Sequence, residues 1–442
     1  MSIEFSQSLC EAGGVGSKAK ATRAEPLGSR YWKLWTSSAL SNLADGVMKV
    51  ALPLVAIRYT DSPGLIAGLT FAFTLPWLVF ALLAGALADR YDRRRLMLVA
   101  NTARAAFLAF LTVAAIAGAG SIWLLYAAAI CIGVAETVYD TSSQSILPQL
   151  VSKPSLSRAN GRLYAAELTT NQFVGPPLGG FLVAAGIGLA FGTPVLLWVA
   201  AIGMLLLVRG RFTTDHPRTT TIRADIAEGL RFLRGSTLLR TLAIMVGGFN
   251  FASSAVFTVL VLYAVGPASA MKLTDPGYGL LLTASALGSV AGTFLAEPAE
   301  RLFGRSKALT LTVLGSLLTV ATPAFTTNPY IIGAGFFLGG ITVSIWNVIT
   351  VSLRQRVTPQ RLLGRLNSAY RLLAWGTMPL GAAAAGVIAE FFGLPAVFLS
   401  MGAVSLAMLI GMIWVTDARM AAAEAAAEAA DERDHAAFGA RD

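Results

Sequence analysis

Apolar residues gather into twelve stretches, at about 33–57, 65–87, 96–117, 121–147, 161–185, 188–208, 239–264, 278–298, 306–325, 329–352, 366–389 and 394–415. Short clusters of charged residues, Gly, Pro and Asn separate them. A helix needs about 20 predominantly apolar residues, at about 1.5 Å each, to cross a bilayer. Each stretch is long enough, so the pattern predicts an all-α membrane protein of twelve spans. One long polar segment interrupts the interior of the chain and divides the spans into two groups of six. The expected organisation is a polar tail at 1–30, a six-helix bundle at 31–208, a linker at 209–238, a second bundle at 239–415 and a second tail at 416–442. Within the linker Ile222, Ile226, Leu230 and Leu233 recur at helical spacing while Arg223, Arg231 and Arg234 take other faces. That is the pattern of an amphipathic helix lying on the membrane surface. The alanine-rich run at 421–430, with Glu424 and Glu428, reads as a solvated helical extension.

The two groups of spans repeat one another. Leu156-Ser157-Arg158-Ala159-Asn160, after span four, recurs as Leu363-Gly364-Arg365-Leu366-Asn367 after span ten. Pro177-Leu178-Gly179 in span five recurs as Pro379-Leu380-Gly381 in span eleven, and Ala88-Asp89-Arg90 returns weakly as Ala299-Glu300-Arg301. Parallel six-helix repeats about an axis along the membrane normal are the layout of alternating-access carriers.

Composition and charge agree. The chain is 55% hydrophobic and 13% charged, against about a quarter charged in a soluble domain. A net charge of +10 would suggest a nucleic-acid partner in a soluble chain. Here, however, 30 of the 34 Lys and Arg residues fall on the side of the termini, two (Arg58 and Lys272) on the other, and two (Lys49 and Arg104) within spans. By the positive-inside rule both termini and the linker are expected in the cytoplasm, the chain is expected in a bacterial inner membrane, and no nucleic acid is expected as a partner. The first 30 residues have no apolar core, so no cleavable signal is expected. Cys10 and Cys131 lie in unlike settings, and the chain shows no metal-ligand spacing, phosphate loop or nucleophile–base pair. Metal, cofactor and enzymatic chemistry are therefore not expected, and the chain is expected to act as a monomer.

The strongest local signal is Gly85-Ala86-Leu87-Ala88-Asp89-Arg90-Tyr91-Asp92-Arg93-Arg94-Arg95, between spans two and three. It resembles the loop signature of the major facilitator superfamily. That resemblance implies that Gly85 lets helices two and eleven pack closely and that Asp89 sits by the N-terminus of helix eleven, near Gly364 and Arg365. It also implies that Arg90, Arg93 and Arg94 tie the inner ends of the bundle together. A carboxylate is favoured at a helix N-terminus by free N–H groups and the dipole. Asp92 replaces the family's usual glycine, as in the macrolide-efflux and siderophore-exporter branch. Gly175-Pro176-Pro177-Leu178-Gly179-Gly180 in span five resembles the later part of the antiporter motif of drug:proton exchangers, with Asn171 where an upstream glycine is expected. Glycines that admit a close helix contact and prolines that bend the chain can make this segment a pivot. With Ser41-Asn42-Leu43-Ala44-Asp45-Gly46, Ala51-Leu52-Pro53 and Ser145-Ile146-Leu147-Pro148, the resemblance covers about residues 31–415.

Ionisable residues inside spans are functional candidates by default. Six or more residues in from a span end, those present are Asp45, Lys49, Arg104, Glu136, Asp140 and Glu167, all in the first six spans. Asp45 falls near mid-membrane and Glu136, Glu167 and Arg104 in the inner third. His216 and His435 both lie outside the spans, so proton coupling falls to Asp45, Glu136 and Glu167. Asp45 and Lys49, four apart on one face, can instead neutralise each other, and Arg104 is placed to pair with Glu136 or Asp140. Asn42, Asn250, Trp346 and Asn347 lie in spans that line the central cavity of the resembled family. The expected function is export of small organic molecules by proton antiport. The alternatives are a dedicated siderophore or secondary-metabolite exporter, uptake of the same ligands, and a membrane sensor or scaffold that does not transport.

Overall fold

The computed structural model describes residues 27–439 apart from 153–154, 214–221 and 267. The first group of helices is α1 (Gly28–Ala56), α2 (Pro63–Arg90), α3 (Arg93–Ile116), α4 (Ile122–Ile146), α5 (Leu156–Glu167), α6 (Gly175–Ala185) and α7 (Ile187–Leu206). After the linker helix α8 (Ile222–Gly235) come α9 (Thr237–Ala264), α10 (Asp275–Phe303), α11 (Arg305–Phe325), α12 (Pro329–Val357), α13 (Gln360–Phe392), α14 (Leu394–Ala407) and the tail helix α15 (Asp417–Gly439). The turn residues that punctuate the sequence are caps. Ser62, Asp92, Ser121, Ser236, Thr274 and Asn328 each accept a backbone N–H at the start of α2, α3, α4, α9, α10 and α12, which satisfies donors that helix geometry leaves free.

Eleven helices among the described residues are long and apolar enough to cross a bilayer. The fifth expected span is in three pieces: α5, a seven-residue π-helical stretch Leu168–Val174, and α6. The prolines explain the interruption. Pro176 and Pro177 have no N–H, and their rings crowd the carbonyls four residues back. The register widens just before them, and Gly175 N–H reaches the Thr170 carbonyl five residues earlier. Such π turns cluster at functional positions. Gly186, at φ 137°, then joins α6 to α7 as a one-residue link in a region that favours glycine.

The packing is repeated as the sequence is. α1 lies against α6 and α7, α2 against α4, and α3 against α4 and α7; correspondingly α9 lies against α13 and α14, α10 against α12, and α11 against α12 and α14. The halves meet along α2 with α13 and α6 with α10. The outer surface is apolar: Phe294 is 77% exposed and Phe391 76%, a surface that suits lipid and not water. The end carrying α8, α15 and the Arg-rich turns is here called the basic end.

Two segments depart from expectation. The part of the apolar face of α8 that is described, Leu230 and Leu233, expected on the membrane surface, packs onto the bundle, the side chains of Ile222 and Ile226 lying outside the described residues: Leu233 is buried, Glu228 forms an ion pair with Arg365, and a Cβ at Gly229 would lie 2.2 Å from the Arg365 carbonyl oxygen. The linker helix is therefore seated on α13. The tail helix is docked as well as solvated. Met420 is fully buried, Asp417 accepts the Ser306 N–H at 3.0 Å, and Glu424 pairs with Arg305 at 2.8 Å and Arg356 at 3.4 Å.

Candidate functional site

The interior of the first half is built around an ion pair. Nη1 of Arg104 on α3 donates to both carboxylate oxygens of Asp45 on α1, at 2.8 and 3.0 Å. Arg104 is fully buried and Asp45 3% exposed. The guanidinium lies 5.2 Å from the ring centroid of Tyr139 on α4 and 5.6 Å from that of Trp198 on α7, so cation–π attraction helps hold it in place. The pairing differs from both sequence expectations. Lys49 donates its Nζ to Asn171 Oδ1 at 2.6 Å, and Asp45 takes Arg104 as its ion-pair partner. The planar guanidinium, fixed between two rings, is the better partner for a buried carboxylate than a hydrated ammonium. Tyr139 and Trp198 gave no sequence signal beyond their size.

Asn171, singled out as a departure from a glycine motif, is a polar hub in the π stretch. Besides Lys49 it engages Asn42, to whose Oδ1 its amide donates at 3.4 Å, and Asn42 donates to the Ser38 carbonyl at 2.9 Å. Glu136 is buried, and its Oε2 has no hydrogen-bond partner among the described residues. Asp45, Lys49, Arg104 and Glu167 all lie within electrostatic range of it, and Asp140 joins the same cluster. Four carboxylates thus share a region with two cations. Glu167, the last residue of α5, is exposed beside the π stretch.

The second half is furnished differently. Between α9, α11, α12 and α13 lies a cavity of about 280 Å³. Asn250, Trp346 and Asn347 line it, as do Arg354 and Tyr370. Asn250 donates its amide to the Ala374 carbonyl at 2.7 Å. Arg354 stacks on Tyr370, its guanidinium carbon 4.1 Å from the ring centroid. The sequence reading missed this pair because Arg354 was counted among the loop cations. The cavity lies in the part of the half nearer the basic end.

The glycine-proline motif joins the halves. A Cβ on Gly175 would meet Gly46 Cα at 2.6 Å and one on Gly179 the Val47 carbonyl oxygen at 2.8 Å, so α6 presses directly on α1. Gly180 faces α10, where its Cβ would lie 2.4 Å from the Asp275 carbonyl oxygen; a Cβ on Gly279 would lie equally close to the carbonyl oxygen of buried Pro176. At the same end, opposite the basic one, Arg58 pairs with Asp275 at 3.1 Å, and Glu390 accepts from the Ser62 hydroxyl at 3.4 Å and the Gly64 N–H at 3.2 Å. Deeper in, Trp77 and Trp375 meet edge to face at 4.8 Å. The halves are closed at this end.

At the basic end, Arg94 donates to the Leu205 and Leu206 carbonyls at 2.8 and 3.0 Å, and Arg93 to the Ala88 carbonyl at 3.2 Å, while Arg90 is exposed and Gly85 half-buried. The Asp89 carboxylate lies outside the described residues. Asp92, in the usual glycine's place, has two tasks: Oδ1 caps α3 through the Arg95 N–H at 3.0 Å, and Oδ2 holds the Phe212 N–H of the linker at 2.9 Å.

Comparison with known proteins agrees with this architecture. The chain is 28% identical over 384 residues to the multidrug efflux pump Tap of Mycolicibacterium fortuitum, covering 83% of this chain and 90% of the relative. It is 28% identical over 338 residues to the enterobactin exporter EntS of Salmonella typhi, covering 75% and 78%. A bacterial homologue of the iron transporter ferroportin, solved in an inward-facing state, superposes with a TM-score of 0.68 at 17% identity over 87% of this chain and 98% of that one. Residues 22–438 match the family model described as transmembrane secretion effector. The chain belongs to that family and is a multi-pass membrane transporter of the major facilitator superfamily.

Proposed function

We propose that this transporter exports small amphipathic organic molecules across the cell membrane, by alternating access of its two halves coupled to inward movement of protons. The observation that carries this reading is the unequal furnishing of the halves. One interior holds a cluster richer in carboxylates than in cations, and the other an uncharged-to-basic cavity with apolar walls. Asp45, Glu136 and Glu167 are the coupling candidates. Glu136 leads them, because its buried Oε2 can take a proton without breaking an ion pair, whereas protonating Asp45 releases Arg104. The Gly180–Gly279 seam is the joint about which the halves rock. Direction follows from the efflux pump and the exporter among the relatives. The enterobactin exporter also favours a narrower reading, a single siderophore or secondary metabolite as cargo.

In this proposal the basic end faces the cytoplasm, both termini are cytoplasmic, and 31–208 and 239–415 move as the two bodies of a monomer. Cysteines at Asp61 and Ala268, in a background lacking Cys10 and Cys131, then react with an impermeant thiol reagent outside intact cells while one at Thr213 does not. Efflux of a panel of fluorescent amphiphiles from a host stripped of its own pumps tests the function. Retention of every compound, with the protein present in the membrane, would sink the export reading.

A further inference from the structure

The cavity of the second half holds a cation that forms no ion pair among the described residues. Arg354 lines it, and its Nε is buried with no hydrogen-bond acceptor among the described residues. No carboxylate belongs to the described lining. Buried Arg104, in the other half, has Asp45. Stacking on Tyr370 fixes the Arg354 plane and leaves its edge as a fork of donors suited to a planar or multi-oxygen anion. A second donor is stranded in the same space: the Trp346 indole N–H is buried without a partner among the described residues. Trp346 sits on the same face of α12 two turns away, about 12 Å along the helix. Between these donors the wall is apolar and soft, with Met245, Phe249, Trp375 and Met408. A buried donor left without an acceptor carries a desolvation penalty, so a site that strands two of them on an open cavity is shaped for a ligand that brings acceptors.

We propose that this cavity is a binding subsite for amphipathic aromatic anions. The ligand's acidic group lies on the edge of Arg354, its ring system lies along the methionines and aromatics, and an acceptor at its far end meets the Trp346 N–H. The proposal rests on the export reading and narrows its cargo to molecules carrying an acidic group. Cationic amphiphiles are disfavoured here, since Arg354 repels them and the described lining offers no carboxylate.

The test uses two dyes that differ in one group. 8-Anilinonaphthalene-1-sulfonate carries a sulfonate, and N-phenyl-1-naphthylamine is the same ring system without it. Binding of each to the purified full chain in lipid nanodiscs is read by fluorescence, with empty nanodiscs subtracted. Arg354→Gln is expected to weaken the sulfonate dye about tenfold or more and to leave the neutral dye within about twofold. Arg354→Lys, which keeps the charge but loses the fork, is expected to fall between. Arg356→Gln removes a cation two residues further along α12, outside the described lining of the cavity, and is expected to change neither dye. Thermal melts confirm that each variant is folded. Unchanged sulfonate binding in folded Arg354→Gln, or an equal loss for both dyes, overturns the proposal. Selective, Arg354-dependent binding without efflux of any compound from cells would instead sink the export reading and leave the site standing.

Discussion

The two halves share a frame and differ in what they put inside it. The pairing of α1 with α6 and α7 returns as α9 with α13 and α14, and the pairing of α2 with α4 as α10 with α12. Within that common frame the first half buries an ion pair, with Arg104 and Asp45 excluded from solvent. In the second half an open volume remains, and among the described residues that line it Arg354 alone is charged. A buried ion pair is seldom a net source of stability, because desolvation offsets the Coulombic gain. It does make the first half intolerant of losing either partner. The second half, with hydrogen-bonded amides and free space, has no such commitment. In the proposed function one repeat holds and moves the proton and the other admits the guest.

The largest expected effect breaks the charged interior. Arg104→Gln leaves the Asp45 carboxylate buried without its partner and should cost about 3–5 kcal/mol, seen as a collapse of folded yield and melting temperature. The double variant Asp45→Asn with Arg104→Gln should regain much of that loss, since it removes the stranded charge. A double variant no more stable than Arg104→Gln would mean that the arginine matters for its packing against Tyr139 and Trp198.

The seam comes next. Gly180→Val places a side chain where even a Cβ would lie 2.4 Å from the Asp275 carbonyl oxygen, so the end opposite the basic one should no longer close. The expected outcome is a folded protein with transport reduced at least about tenfold and faster thiol labelling at cysteines placed along α10. Normal transport would remove the seam from the mechanism. Arg58→Ala takes away a partly exposed pair with Asp275, of the kind worth about 0.2–1 kcal/mol, and should shift the same labelling only a few-fold. The smallest effect belongs to the open half. Asn347→Ala should alter stability by less than about 0.5 kcal/mol while changing which compounds are exported. A large loss of stability there would erase the contrast between the halves.

The sequence legibly carries the spans, because roughly twenty apolar residues between cap-forming residues leave few alternatives. It carries the repeat and the close-packing motif for a similar reason: Gly180 and Pro176 do locally what their chemistry dictates. It does not carry the choice of partner. Asp45 and Lys49 are neighbours on one helix, yet Arg104, 59 residues on, wins the carboxylate because α3 brings it between Tyr139 and Trp198. Nor does the local pattern of α8 say whether its apolar face meets lipid or α13; the close fit of Gly229 on Arg365 decides that. Arg354 was illegible for the opposite reason. It sits one turn from the end of α12, where basic residues are expected for topology alone, and only the fold shows that it turns inward onto Tyr370.

The most direct test of the division between the halves is gradient-driven transport by Glu136→Gln in proteoliposomes. Accumulation of an exported fluorescent amphiphile under an imposed pH gradient is compared with its exchange when the pH is equal on both sides. The account predicts that the variant loses accumulation but keeps exchange, because the cargo site lies in the other half. Accumulation at the wild-type rate and with the wild-type pH dependence would contradict it.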